Sequence, residues 1–356
     1  MKLFFDARYI RTDYHDGISR YSTELGKAIA KLTDVTFLIC DNEQKKFFPK
    51  KAKFITIHAP TSPKEPMTAR ILNHYAPDVV ICPFQVFGAA GRKFKLVLTL
   101  HDLIYYKDRT PPKQLHPIIR AGWWLYHVSY MPQRLQLNSA DIVATISHAT
   151  QREIEQTKLT KRPIIVVPNA PQNLASLLKK PVTTTAPTNL IYMGSFMPYK
   201  NVETLIKGMK WLPNHTLHLL SKISASRKQA LQQHIPKNAN IVFYNGVSDE
   251  QYAALLANRG ILVSASRFEG FGLPIAEALA LGVPAVISDT SIFHEVAGNG
   301  ALYFDVDDAK HFSQQVTQLR NARTRNRLIE KGQQHIQNFS WNASARELMS
   351  AVKTLL

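Results

Sequence analysis

The sequence predicts an α/β protein of two domains, each a parallel sheet wound with helices, and three observations carry that prediction. Short apolar runs of strand length, as at 35–40, 77–82, 95–100 and 140–147, alternate with segments of helical length. A fresh strand-loop-helix start at 189–202 follows the Pro- and Thr-rich stretch 171–188. The chain has 356 residues, too many for one comfortable α/β core and suited to two domains of ordinary size.

Hydrophobic residues make up 45% of the chain and charged ones 20%, a balance expected of a soluble globular protein. Only Cys40 and Cys82 are present, both in apolar strand-like contexts, so they read as buried thiols of a reducing compartment and not as a disulfide. The opening MKLFFDARYI is too short for a secretory signal and reads as a first strand. No stretch reaches the roughly 18 apolar residues of a transmembrane helix. A cytoplasmic protein is expected. The net charge of +18 points to an anionic partner, and residues 1–172 carry more of it, with 25 Lys or Arg against 14 Asp or Glu. No helix-turn-helix, zinc or RNA-module pattern accompanies the charge, so no nucleic acid is expected. An anionic membrane face is the partner this charge favours, at about 1 kcal/mol per basic residue near the surface, and it would hold the protein peripherally on the inner face of the plasma membrane.

Along the first half, residues 1–5 form a strand, and a loop over 11–17 leads into a helix from Gly17 to about residue 32. Gly17 is either an ordinary helix entry or a point of close backbone approach to a ligand. A strand at 35–40 precedes the basic run 45–53, read as a solvated loop. The buried strands 77–82 and 95–100 follow, and His101 and Asp102 stand at the carboxyl end of the second, the edge of an open α/β sheet that carries ligands. A lone His there is more often structural than catalytic. The stretch 111–137 sets Trp123, Trp124, Tyr126 and Tyr130 among Arg120, His127 and Arg134. Aromatics at helical spacing commonly bury, yet rings with basic neighbours also suit a membrane interface. Strands at 140–147 and 164–167 complete this half.

In the second half, the strand 189–193 closes on Gly194 and Ser195, and Lys200 stands just before a helix from Val202, where its ammonium would add to the dipole in clamping a phosphate group. Lys222 and Arg227 follow the strand 216–220 and are further candidate cations, each equally suited to a structural role. A strand at 241–244 and a helix at 249–258 lead to the segment around which the chain is organised. There the strand 261–265, the loop Gly270-Phe271-Gly272, a short helix over 274–281 and the strand 284–288 make a β-loop-α-β unit. Pro274 suits the helix's first turn and Gly282 its end. Its free N-terminal amides would seat a phosphate. Glu269 on the loop and Glu277 in the first helical turn bracket that seat, and paired carboxylates can accept hydrogen bonds from the vicinal hydroxyls of a sugar or ribose. Capping and surface exposure are the plainer account of such a pair. Asp305 to Asp308 contain a D-x-D string, better explained by helix capping than by a metal.

Taken whole, E-G-F-G-L-P-x-x-E-A at 269–278 followed by G-x-P at 282–284 resembles the signature of the retaining family 4 glycosyltransferases. That resemblance implies the GT-B fold, two Rossmann-like domains with parallel sheets facing across a cleft: 1–172 for the acceptor, completed by a terminal helix at 341–356, then a linker at 173–188, and 189–340 for the nucleotide-sugar. It implies that Glu277 holds the ribose and that Glu269 lies by the donor sugar. Amides near Phe271, Gly272 and Leu273, with Gly194, Ser195 and Lys222, would surround the diphosphate. The family's "GR…KN" string supplies an Arg and a Lys to that group; Lys200 matches the Lys, while Ser195 stands where the Arg often is. GISRY at 17–21 resembles the loop after the family's first strand, and the His of its "HD" segment, here His101, reaches the donor sugar. The "PNG" domain exit is Pro168-Asn169-Ala170 here, and Ala170 in place of Gly should stiffen the hinge. His101, Glu269 and Lys200 are thus the expected catalytic residues.

The implied reaction moves a hexose from a nucleoside diphosphate sugar to an acceptor hydroxyl with retention, in cell-envelope polysaccharide or glycolipid synthesis. Mannose is the first sugar to consider, and the acceptor a saccharide or lipid-linked saccharide. No cofactor and no metal is required if these groups neutralise the phosphates. No carboxylate is clearly placed to attack the anomeric carbon, so the acceptor would attack on the leaving group's own face. Two alternatives are a non-catalytic nucleotide-sugar or nucleic-acid binder, and an epimerase on the same fold.

Overall fold

A computed structural model describes residues 1–13, 16–111, 116–183 and 185–356. Within them the chain folds as two α/β units, one of Met1–Asn169 with Phe339–Leu356 and one of Ala170–Asn338.

The first unit holds seven parallel strands in the order β3-β2-β1-β4-β5-β6-β7. They are β1 Leu3–Asp6, β2 Val35–Ile39, β3 Lys53–Thr56, β4 Val79–Cys82, β5 Lys95–Leu100, β6 Ile142–Thr145 and β7 Ile164–Val166. The central strands are apolar on both faces because helices cover both sides of a parallel sheet, which is why VVIC in β4 is wholly buried. The basic run at 45–53, expected as a solvated loop, instead contains a short helical turn and delivers the edge strand β3. Gln44 is buried there, and Phe48 stacks on Phe37 with ring centroids 3.8 Å apart. Phe37, Phe48 and Phe54 pack on one another and outweigh the basic residues between them.

The helix Gly17–Ala30 is capped by Asp16, whose carboxylate accepts the Ser19 amide, and it buries Tyr21, Leu25, Ala28 and Ile29 on one stripe. Against it lies the C-terminal helix Trp341–Lys353, capped by Ser340 and buried through Ala345, Leu348, Met349 and Val352. Tyr21 meets Trp341 edge to face at 5.8 Å, and Ser344 donates to the Pro168 carbonyl at 2.7 Å. The end of the chain therefore completes the first unit. Of the expected loop 11–17 and stretch 111–137, residues 14–15 and 112–115 lie outside the described residues.

The second unit carries six parallel strands ordered β10-β9-β8-β11-β12-β13. These are β8 Asn189–Tyr192, β9 Thr216–Leu219, β10 Asn240–Phe243, β11 Gly260–Ser264, β12 Ala285–Ser288 and β13 Ala301–Phe304. One continuous core, with Leu205, Leu217, Val263, Val286 and Phe312 near its middle, fills it. The segment read from sequence as linker is held against this unit: Leu174 is buried, Gln172 donates to Asp249 at 2.9 Å, and the Thr183 amide donates to the Ala257 carbonyl at 2.8 Å. Its apolar Leu174 found a surface to cover, which composition alone does not reveal. Residue 184 of that segment lies outside the described residues.

Candidate functional site

In the second unit the strand order reverses between β8 and β11, and the loops leaving the carboxyl ends of those two strands diverge around a crevice that in open α/β sheets receives ligands. The two loops are tied to each other. The Arg267 amide donates to the Tyr199 carbonyl at 2.8 Å, and the Lys200 ammonium donates to Glu269 Oε1 at 2.5 Å. That same oxygen accepts the Ser266 hydroxyl at 2.8 Å, and the Ser266 carbonyl is fixed by the Ser288 hydroxyl at 2.6 Å. Lys200 and Glu269 thus share one polar site at the switch point, each with about 15% of its side chain exposed.

Past Glu269 the chain enters the helix Leu273–Ala280 through Gly272, whose φ of +101° belongs to the left-handed region. The backbone there selects glycine, and a Cβ would lie 3.1 Å from Phe293 and 3.2 Å from Ile275, so these neighbours would have to give by a few tenths of an ångström. Pro274 has no amide and Ile275 donates back to the Gly272 carbonyl at 3.0 Å, which leaves Gly272 and Leu273 to supply amides at the helix mouth. The helix stops as its Gly282 predicts. Gly282, at φ +77°, donates to Leu279, and Val283 donates to Ala278 at 2.9 Å, a Schellman closure.

One expectation needs correction here. Glu277 is not in the first turn: it is the fifth residue of the helix and only 5% exposed, because the helix begins at Leu273 and its second turn faces inward. The Phe271 side chain is buried at 3% exposure, so only its backbone is available to a ligand.

Gly194 and Ser195 lie on the β8 loop. The Gly194 amide donates to the Ser221 hydroxyl at 3.1 Å, and the Ser195 carbonyl accepts the Tyr192 hydroxyl at 2.5 Å. Lys222 is exposed and runs beside the Gly246 turn, where a Cβ would meet its Cγ at 3.2 Å. Arg227, a candidate for the charge missing at Ser195, is committed elsewhere: it pairs with Glu203 at 2.7 Å and donates to the Phe196 carbonyl at 2.9 Å. Its guanidinium holds the β8 loop. Arg267, which the sequence reading passed over, forms a two-point pair with Asp307 at 2.9 and 2.5 Å and so anchors the segment between β11 and Glu269. Its place two residues before Glu269 was the only signal.

In the first unit, His101 follows β5 and lies beside the β1/β4 reversal, where Nε2 meets the Pro83 carbonyl at 2.8 Å. A carbonyl only accepts, so Nε2 carries the proton and Nδ1 the lone pair. Burial lowers the imidazole pKa to about 4, against smaller raising effects of the Pro83 hydrogen bond and Asp16. The ring is neutral at physiological pH. Tyr21, from the helix that Gly17 begins, meets it edge to face at 4.9 Å. Nothing occupies the space a Cβ at Gly17 would fill. Asp102 accepts the Ile104 amide at 3.0 Å.

Among the described residues no group of three or more His, Cys, Asp or Glu is arranged to hold a metal. Asp308 caps the helix Ala309–Gln318 by accepting the Lys310 and His311 amides, and Asp305 accepts the Asp307 amide. Of the D-x-D string, Asp305 accepts within its own turn and Asp307 is taken by Arg267.

Residues 147–335 match the family model described as Glycosyl transferases group 1, and residues 15–170 match that described as Glycosyltransferase Family 4. The chain is 25% identical over 317 residues to the O-antigen chain mannosyltransferase RfbU of Salmonella typhimurium, covering 85% of this chain and 87% of that one. It is 28% identical over 289 residues to the O-antigen chain mannosyltransferase B of Escherichia coli, covering 76% and 73%. Among solved structures, sucrose-phosphate synthase from Thermosynechococcus elongatus superposes with a TM-score of 0.76 at 18% identity, over 99% of this chain and 98% of that one. At that identity the likeness is one of fold.

Proposed function

Because the chain belongs to the group 1 glycosyltransferases of family 4, retaining enzymes with the GT-B fold and nucleoside diphosphate sugar donors, we propose that it transfers mannose from guanosine diphosphate mannose to a hydroxyl of a saccharide or lipid-linked saccharide in envelope polysaccharide synthesis. The observation that carries the donor side is the Lys200–Glu269 pair at the switch point beside the mouth of the helix Leu273–Ala280. It sets a cation, a carboxylate and outward amides together, the groups a sugar diphosphate needs. The choice of mannose is supported by the activities named for the two O-antigen relatives.

In this reading the ammonium of Lys200 has three donors and keeps Glu269 while reaching a phosphate oxygen. With the amides of Gly272 and Leu273 it stabilises the charge that develops on the departing diphosphate, electrostatic stabilisation fixed in place before the reaction. Lys222, exposed beside the Gly246 turn, supplies charge that Ser195 does not. Glu269 accepts a hydroxyl of the sugar and Glu277 those of the ribose. His101 offers the Nδ1 lone pair, suited to a sugar hydroxyl or to positive charge growing at the anomeric centre, and not a positive charge of its own. The acceptor oxygen attacks on the face the diphosphate leaves, and the leaving phosphate takes its proton. No divalent metal is assigned a role.

Thermal shift against a panel of nucleotide-sugars tests the donor, since a ligand at about a hundred times its Kd adds about 2.7 kcal/mol of stability. Guanosine diphosphate mannose should give the largest shift and then label a saccharide acceptor. A larger shift with a uridine diphosphate sugar would replace mannose; no shift with any donor would defeat the assignment.

A further inference from the structure

The helix Pro117–Val128 and its neighbour Met131–Asn138 carry an apolar face that no described residue of the first unit covers. In the first of them no described side chain is fully buried. Its inner side rests on an aromatic layer: Trp123 meets Tyr105 at 5.0 Å, His127 meets Tyr106 at 5.0 Å, and Tyr106 meets Tyr130 at 4.5 Å. Its outer side is equally apolar. Ile118 is 76% exposed, Leu125 67% and Trp124 50%. Ile118, Leu125 and Val128 recur at helical spacing, and Met131 and Leu135, 57% and 69% exposed, continue the stripe onto the second helix while its Gln133 and Leu137 turn inward. A patch of this extent is unusual on a protein surface without a partner.

Charge identifies the partner. Residues 109–140 include Arg109, Lys113, Arg120 and Arg134 and not one Asp or Glu, in a chain that has 26 acidic residues in all. A twelve-residue helix spans about 18 Å, short of the roughly 30 Å hydrocarbon core, and no helix among the described residues is long and apolar enough to cross a membrane. An element that is apolar outward, basic and free of acids in its sequence, and too short to span lies in the plane of an anionic interface.

We propose that the face formed by Ile118, Trp124, Leu125, Met131 and Leu135 docks this protein onto a bilayer bearing anionic headgroups, with the apolar side chains entering the headgroup boundary and Arg109 and Arg120 at lipid phosphates, while Arg134 holds the Thr157 and Lys158 carbonyls. The inference stands apart from the donor chemistry, since none of these residues belongs to the site described above, but it names the surface at which a lipid-linked acceptor would be met.

Flotation of the full chain with vesicles tests it without any turnover, so a failed sugar donor leaves this result intact. Binding is expected to vesicles of phosphatidylglycerol and phosphatidylcholine in equal parts, to weaken as salt is raised, and to be slight on phosphatidylcholine alone. Trp124→Glu with Leu125→Glu should lower partitioning at least about tenfold, while Trp211→Glu, at an exposed apolar residue of the other unit, should not. In the unaltered protein, Trp fluorescence should shift to the blue on anionic vesicles, and Trp124→Phe should reduce that shift. Equal binding to neutral vesicles, unchanged binding of the double variant, or a soluble dimer that the double variant dissociates while vesicles bind neither form, would overturn the proposal; the last would assign the face to a second copy of the chain.

Discussion

Lys200 and Glu269, 69 residues apart in sequence, meet at 2.5 Å where the loops after β8 and β11 converge. The pair is mostly buried and has the additional hydrogen bond from Ser266, which separates it from the exposed ion pairs that contribute little. It also makes the two residues separable by mutation. Lys200→Met should weaken binding of the free nucleoside diphosphate and lower kcat/KM by about 10²- to 10³-fold. Glu269→Gln should lower transfer while leaving nucleoside diphosphate affinity unchanged or tighter, because the ammonium loses its competing carboxylate. Calorimetric titration of the diphosphate alongside steady-state kinetics reads both; parallel losses of diphosphate affinity in the two variants would contradict the division of roles.

Gly272→Ala should destabilise the second unit by about 1–3 kcal/mol, from the left-handed backbone cost together with the approach to Phe293 and Ile275. Because the strained residue opens the helix that bears Glu277, donor affinity should fall with it. Denaturant unfolding followed with and without donor measures the two effects.

The sign of the His101 effect follows from its neutral burial. Its pKa drops from 6.5 unfolded to about 4 folded, so below pH 6.5 the unfolded chain takes up a proton that the folded one refuses. The stabilisation from the neutral ring is fully present above pH 6.5, and up to about 3 kcal/mol is lost as pH falls toward 4. His127, His215 and His218 are shifted the same way by burial and add to the trend. His101→Asn should flatten the stability–pH curve between pH 4 and 6.5 relative to the parent. In the intact protein, kcat/KM should show no His101 inflection near pH 6.5, its ordinary value.

Chelation separates capping from metal binding in the acidic string at 305–308. Asp308→Ala should cost about 1 kcal/mol of stability through its lost cap, with transfer activity retained, and EDTA should leave transfer unaltered. Activity restored only by an added divalent ion would show that the string, or another group, holds a metal in the working enzyme.

The sequence by itself determined the fold class, the family and the ends of the organising helix. These are local matters: short apolar runs such as VVIC, bounded by prolines, favour buried parallel strands, and a left-handed turn such as those at Gly272 and Gly282 selects its residue whatever surrounds it. Tertiary structure decided the rest. Which cations are available depends on partners distant in sequence, as Arg227 is taken by Glu203 and Arg267 by Asp307. The depth of Glu277, the burial of Phe271 and the neutral state of His101 depend on what packs over them. The edge strand β3 escaped a local reading, and the apolar face at 118–135 stayed open between core and membrane, for one reason: periodicity says which side of an element is apolar, but only the assembled neighbours say whether that side is covered.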